Sequence, residues 1–142
     1  MSAYVHRLRV RYGECDPQGI VFNANYFAYF DVAITELWRD ALGGYQQMME
    51  RGIDIVVGAA SATFHAPARF DDEIALRLTV ANLGTTSMTT RIDVLRGDDV
   101  CVKGEMRHVF VDLATLRKTP IPEDIRAGLE RYAGGAAERE LA

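Results

Sequence analysis

Cysteine is scarce. The chain has only Cys15 and Cys101 in 142 residues, too few for a disulfide framework. That predicts a reduced, cytoplasmic protein. The three histidines, His6, His65 and His108, are far apart, and no Cys/His pair has ligand spacing. No metal site is therefore expected. A basic excess is also missing: the formal net charge is -4, which argues against a nucleic-acid partner. A ligand with a few phosphates is still allowed, since it needs only a local cluster of Arg or Lys. No charge-free apolar run reaches membrane-spanning length, and Met1–Arg7 lacks the apolar stretch of a signal peptide. No membrane partner is expected. Internal repeats are absent, and only the Ala/Glu-rich tail is biased in composition.

What remains is ordinary for a soluble globular domain: 49% apolar and 25% charged residues. The length suits a single core. Residues 1–133 are expected to form one domain, and 134–142 a loose tail with little to bury.

Period two marks residues 4–12, with His6, Leu8, Val10 and Tyr12 on a covered face and Val5, Arg7, Arg9 and Arg11 on a wet one. Residues 24–42 read as a helix about 30 Å long, capped by Asn23 or Asn25 and stopped by Gly43-Gly44. Its apolar residues go nearly all the way round, which predicts burial on most sides. Tyr45–Arg51 reads as a short helix. Period two returns at 53–57, 60–66, 74–81 and 87–95, with Gly58 as an interruption. Val100–Asp112 is the last long strand, joined to its predecessor by a hairpin at Gly97-Asp98-Asp99. A short helix at Glu123–Tyr132 follows Pro120 and Pro122. One long apolar helix followed by consecutive antiparallel strands predicts an α+β fold of five or six strands, its apolar face wrapped around the helix. The outer face carries Arg7, Arg9, Arg77, Arg91 and Lys103.

The stretch from Arg11 to Tyr26 joins the first strand to the long helix. It holds one acid, Asp16, in a turn framed by Pro17 and Gly19. Proline pushes the preceding residue out of the α region, and Gly19 permits a tight path or a close ligand. Phe22 and Tyr26 offer an apolar wall, which raises the basicity of a carboxylate held against it. The N–H groups at a helix start can hold developing negative charge. On its own, Asp16-Pro17-Gln18-Gly19 is also plain turn chemistry.

The longer pattern is more telling. Arg11, Tyr12, Glu14, Asp16, Pro17, Gly19, Val21 and Tyr26, running into an apolar helix, resemble the motif of the hot-dog-fold acyl-CoA thioesterases of the 4-hydroxybenzoyl-CoA thioesterase family. The segment Cys15–Val21 is especially similar to the founding branch. His65-Ala66-Pro67 through Asp72, and Leu116-Arg117-Lys118 through Pro122, also have counterparts. The resemblance implies hydrolysis of a CoA thioester, with aromatic acyl groups slightly favoured. The carboxylate matching Asp16 would act as nucleophile or as base toward water. The backbone N–H of Asn23 would hold the thioester oxygen, and Gly19 would let the ligand approach. The acyl-CoA would be met by Val21, Phe22 and Tyr26, and by Ser61 and Thr63 beside them. Arg91, Arg117 and Lys118 would meet the CoA phosphates. The resemblance further implies edge-to-edge pairing of sheets into a homodimer or homotetramer with the site at the interface. No cofactor is implied beyond the CoA of the substrate. Many relatives acting on aliphatic esters have His at the Asn23 position; Asn leaves no second titratable group there.

Other residues have plainer readings. Arg11 pairs with a nearby acid such as Glu14. Cys15 lacks a neighbouring His and reads as unreactive. His65 and His108 lie on strand faces as structural residues. Asp31 and Glu36 on the long helix need partners or shifted pKa values. Two other functions fit the pattern: a dehydratase or hydratase on the same fold, which pairs a His with an acid, and a non-catalytic acyl-CoA or acyl-carrier binding module.

Overall fold

The computed structural model describes residues 3–133; the tail expected at 134–142 lies outside the described residues. A five-stranded antiparallel sheet is ordered β1-β3-β4-β5-β2. Its strands are β1 (Tyr4–Arg9), β2 (Ile53–Phe64), β3 (Glu73–Leu83), β4 (Ser87–Arg96) and β5 (Asp99–Asp112). The helix α1 (Asn25–Ala41) lies against one face, with short helices α2 (Tyr45–Glu50) and α3 (Glu123–Glu130) near its edges. The expected α+β arrangement is found, with five strands.

The core forms where α1 meets the sheet. Phe30, Ala33, Leu37 and Trp38 on the helix are fully buried, as are Leu76, Leu78, Met88, Ile92, Val94 and Phe110 on the strands. Alternation along β3 and β4 puts every second residue into this layer. Gly104 sits mid-strand for a packing reason. A Cβ there would run into the Phe30 ring, so the missing side chain lets the helix press onto β5.

Three expectations need correction. The first strand ends at Arg9 rather than residue 12, and Tyr12 is 80% exposed. The Glu14 carboxylate accepts the Arg11 backbone N–H and guanidinium, which folds Tyr12–Glu14 into a 3-10 turn. Second, α1 is not buried all round. Ala28, Asp31, Val32 and Thr35 form a bare strip, because the sheet wraps only the opposite side. Third, neither asparagine caps α1 by its side chain. The N-cap is Ala24, and Asn25 Nδ2 instead donates to the Glu14 carbonyl.

The two edges of the sheet differ. β1 is six residues long and exposes Val5, Arg7 and Arg9, a short and partly charged edge that resists pairing. β2 is twelve residues long and exposes Val56, Val57 and Phe64. A bulge at Gly58 interrupts its register with β5.

Candidate active site

Asp16 sits in a turn built by its own neighbours. The Gly19 N–H donates to the Asp16 carbonyl at 2.9 Å, and the Asp16 N–H donates to the Ile20 carbonyl at 2.9 Å. Asp, Pro and Gly stand at the positions a type I turn prefers, and Gly19 takes φ +78, where a side chain would be strained. The Gln18 N–H donates to Asp16 Oδ1 at 2.8 Å, an Asx turn. Among the described residues no donor reaches the other carboxylate oxygen. Half-buried Asp16 is thus clamped by one oxygen and open at the other.

Two contacts carry the chain from this turn into α1. The Val21 N–H donates to Ala68, and the Phe22 N–H donates to Glu14. The first helical N–H groups are then used tightly: Asn25 donates to Phe22, Tyr26 to Asn23 and Phe27 to Ala24. Among the described residues the N–H groups of Asn23 and Ala24 find no acceptor. The helix start therefore presents free donors next to the Asp16 turn.

Glu14 ties these pieces together. Its carboxylate accepts from the Arg11 backbone and guanidinium and from the Tyr29 hydroxyl at 2.9 Å. Its carbonyl accepts from Phe22 and Asn25. Burial pushes its pKa up, but the hydrogen bonds from Arg11 and Tyr29 outweigh this and hold it below the usual value. The expected Arg11 partner is therefore Glu14. Cys15 is held as a thiol: burial and the nearby Glu14, Asp16 and Asp72 raise its pKa.

Asp16 and Asn23 open onto one cleft of about 450 Å3, shared with Val21 and Tyr26 and with Phe64, His65 and Pro67. The Tyr26 hydroxyl accepts the Ala68 N–H. Gly19 turns the chain beside this cleft without lining it. Phe22 is 48% exposed and is not part of the wall; Phe64 takes that place, its ring 5.8 Å from that of Tyr26. Sequence reasoning missed Phe64 and Pro67, and it placed His65 on a strand. His65 lies just past β2 and is exposed. The Ile20–Arg69 bridge and the Val21–Ala68 bond bring this distant segment in.

The remaining predicted residues lie elsewhere in the chain. Ser61, Thr63 and Arg91 share a shallow hollow with Lys103 and Glu105. It lies on the outer face, because Ser61 and Thr63 alternate with Ala62, which stands opposite the helix-facing Gly104. In a single chain they do not join Asp16. Arg117 and Lys118 are exposed beyond the Asp112 end of β5, roughly 30 Å along that strand from the residues near the cleft. Asp31 is on the bare strip of α1, and Glu36 pairs with Arg39. Among the described residues no group of three His, Cys, Asp or Glu comes together to hold a metal. No described helix is long and apolar enough to cross a membrane.

An antiparallel sheet wrapped on one long helix, with an acid turn at the helix start, defines the hot-dog thioesterase class. Residues 10–129 match the Thioesterase-like superfamily, and the chain belongs to that family. It is 29% identical over 126 residues to the 4-hydroxybenzoyl-CoA thioesterase of Pseudomonas sp. strain CBS-3, covering 82% of this chain and 89% of that one. It is 26% identical over 121 residues to the acyl-CoA thioester hydrolase YbgC of Escherichia coli, covering 84% and 90%. Among solved structures, a thioesterase-superfamily protein of Jannaschia sp. superposes with a TM-score of 0.88 at 25% identity, covering 94% of this chain and 95% of that one.

Proposed function

We infer that this protein hydrolyses an acyl-CoA thioester to a carboxylic acid and free CoA. The observation that carries the reading is the pairing, in one cleft, of a carboxylate oxygen and the helix-start N–H of Asn23, which among the described residues have no donor and no acceptor respectively. The Asn23 N–H holds the thioester oxygen as negative charge develops on it, a contact of the kind worth about 10²–10³ in rate. Asp16 supplies the carboxylate chemistry, either by attacking the carbonyl carbon or by taking a proton from the attacking water. The C–S bond breaks and the CoA thiolate takes up a proton. Val21, Tyr26 and Phe64 give the acyl group an apolar wall. The named activities of the Pseudomonas and Escherichia coli relatives support this reaction. It needs no resident cofactor, and CoA enters as part of the substrate. The Asp-Pro form of the motif favours an aromatic acyl group.

The site is completed by a second copy of the chain. β2 is a long, apolar, unpaired edge, and two such edges pair antiparallel about a twofold axis. That brings the Phe64 end of one β2 beside the Ile53 end of the other. Ile53 pairs with Asp112, close to Arg117 and Lys118, so those cations reach the CoA phosphates across the interface. Arg91 serves the same phosphates from the outer face.

One observation favours a second reading. His65 lines the same cleft as Asp16, and an acid with a histidine suits addition or removal of water at a 2-enoyl thioester. Thiol release from benzoyl, hydroxybenzoyl, phenylacetyl, short-chain and long-chain CoA esters tests the first reading. Hydration of a 2-enoyl-CoA without thiol release would replace it. Saturable ester binding with neither reaction would make the domain a binding module.

A further inference from the structure

The Asp16 cleft holds a second ionisable side chain, His65, with no part in the carboxylate chemistry. The chain fixes its segment firmly. The His65 and Ala66 N–H groups donate to the Cys101 carbonyl on β5, at 2.8 and 3.1 Å. Arg96 on β4 donates to the Pro67 carbonyl at 2.8 Å. The Ala68 N–H donates to the Tyr26 hydroxyl on α1 at 3.3 Å. Residues 65–68 are thus pinned to β4, β5 and α1. The imidazole itself is exposed, and among the described residues neither ring nitrogen makes a hydrogen bond.

The cleft sorts the substituents of a thioester carbon. Asp16 comes from the turn, Asn23 from the helix start, and residues 64–67 from the end of β2. The carbon carries an oxygen, an acyl chain and a sulfur. The oxygen goes to the Asn23 N–H, and the acyl chain runs along Val21 and Tyr26. The sulfur is left to the wall of residues 64–67, where His65 is the one polar side chain. CoA also arrives from that side. Pairing of β2 edges sets the Phe64 end beside the cations that meet the CoA phosphates across the interface.

We propose that His65 is a further catalytic residue, whose imidazolium gives a proton to the sulfur as the C–S bond breaks. The proposal deepens the thioesterase reading and rests on it. An alkyl thiolate is a stronger base than imidazole by roughly two pKa units, so the transfer runs downhill. If Asp16 attacks the carbon, sulfur leaves with the bonding pair and takes the His65 proton. The neutral imidazole then removes a proton from the water that opens the acyl–Asp16 anhydride, and is recharged. If Asp16 acts as base, it takes the proton of the attacking water, and His65 is recharged from solvent. Either route consumes one water and yields one acid and one thiol. The other ionisable side chains around His65 are Asp16 on the turn, Tyr26 on α1, Arg96 on β4 and Cys101 on β5. Burial raises the Tyr26 hydroxyl and the Cys101 thiol, and arginine stays charged. Imidazole changes charge between about pH 5 and 8, so His65 sets the alkaline side of the activity.

The test takes the acyl group released fastest from CoA and carries it on two other thiols. N-acetylcysteamine is an alkyl thiol and leaves with the proton. Thiophenol leaves as a much weaker base and does not need it. His65→Gln keeps the fold, because the imidazole is exposed and the backbone bonds of residue 65 remain. In that variant kcat/KM for the CoA and N-acetylcysteamine esters falls by at least about tenfold, and for the phenyl thioester by less than about twofold. Wild-type kcat/KM for the CoA ester declines as pH rises through about 7, and His65→Gln loses that decline. The pH profile decides alone where the wild type does not accept the phenyl thioester. Equal losses on the alkyl and aryl esters, no loss at all, or an unchanged alkaline decline would overturn the assignment and leave the thioesterase reading standing. No thiol release from any ester by the folded wild type would sink the thioesterase reading and the assignment with it.

Discussion

Replacing Glu14 with alanine should be far more damaging than removing its surface partner. Glu14 receives four hydrogen bonds on its carboxylate: three from Arg11 and one from Tyr29. The Arg11 side chain is 82% exposed and that of Glu14 only 17%. An ion pair with one end in water contributes little, so Arg11→Ala should leave stability nearly unchanged. The Tyr29 bond is different, because Tyr29 is 3% exposed. Without Glu14 its hydroxyl becomes a buried donor with no partner, a loss of about 1–3 kcal/mol. Adding the backbone bond from Arg11, Glu14→Ala should lose about 2–4 kcal/mol. The same change frees the turn that aims Asp16, because Arg11 and Tyr29 no longer hold residue 14. Urea unfolding of Glu14→Ala, Tyr29→Phe, Arg11→Ala and the Glu14/Tyr29 double variant measures this. A Glu14–Tyr29 coupling of about 1–2 kcal/mol is expected. A Glu14→Ala loss no larger than that of Arg11→Ala would refute the claim that the buried hydroxyl dominates.

Gly104→Ala should destabilise by about 1–3 kcal/mol, because Phe30 is fully buried and cannot yield; thermal unfolding beside Gly13→Ala, where an added Cβ meets nothing within 4 Å and φ is not positive, is the comparison. His108 should make stability pH-dependent. Its folded pKa of about 4 lies below the ordinary 6.5, so the unfolded chain binds a proton that the folded chain refuses. Stability is full above pH 6.5 and falls as pH drops toward 4, by about 3 kcal/mol in total. His108→Asn should flatten that slope in urea titrations at several pH values; Asp31, whose carboxyl is raised by burial, contributes the opposite slope and remains in both proteins. Val57→Lys on the β2 edge should shift sedimentation toward monomer, since a charge there opposes strand pairing, and an unchanged oligomer would move the interface elsewhere.

Much of the fold was legible because the periods were clean. The helix read at 24–42 and the strands read at 74–81, 87–95 and 100–112 appear within a residue or two of where their patterns put them, since apolar spacing and Gly43-Gly44 act locally, whereas the segments read at 53–57 and 60–66 form one strand, Ile53–Phe64, with a bulge at Gly58. The first strand was read too long because Arg11 and Tyr12 continue the alternation while Glu14 folds them into a turn. That capture depends on a side chain, which period two does not encode. In the site, Asp16 and Asn23 were legible because the motif is contiguous. Phe64, His65 and Pro67 were not, because they arrive from more than forty residues away through pairing of residues 20–21 with 68–69. Ser61 and Thr63 were named from the resemblance, and in the single chain they stand on the outer face, apart from the Asp16 cleft. The bulge at Gly58 resets the alternation, so the facing of 53–57 does not carry through to 60–66. His108 was recognised as a strand residue, but its Nδ1, unpaired among the described residues, is visible only once α1 and β2 are packed around it.

The measurement that bears most directly on the central claim is thiol release by Asp16→Asn beside the wild type, on the best ester of the panel, with ester binding measured in parallel. Asparagine keeps the Oδ1 that accepts the Gln18 N–H, so the turn and the binding cleft should persist. It loses the carboxylate, so kcat should fall by at least about 10³-fold with binding nearly unchanged. A folded Asp16→Asn protein that hydrolyses the ester at the wild-type rate would remove Asp16 from the chemistry and contradict the account.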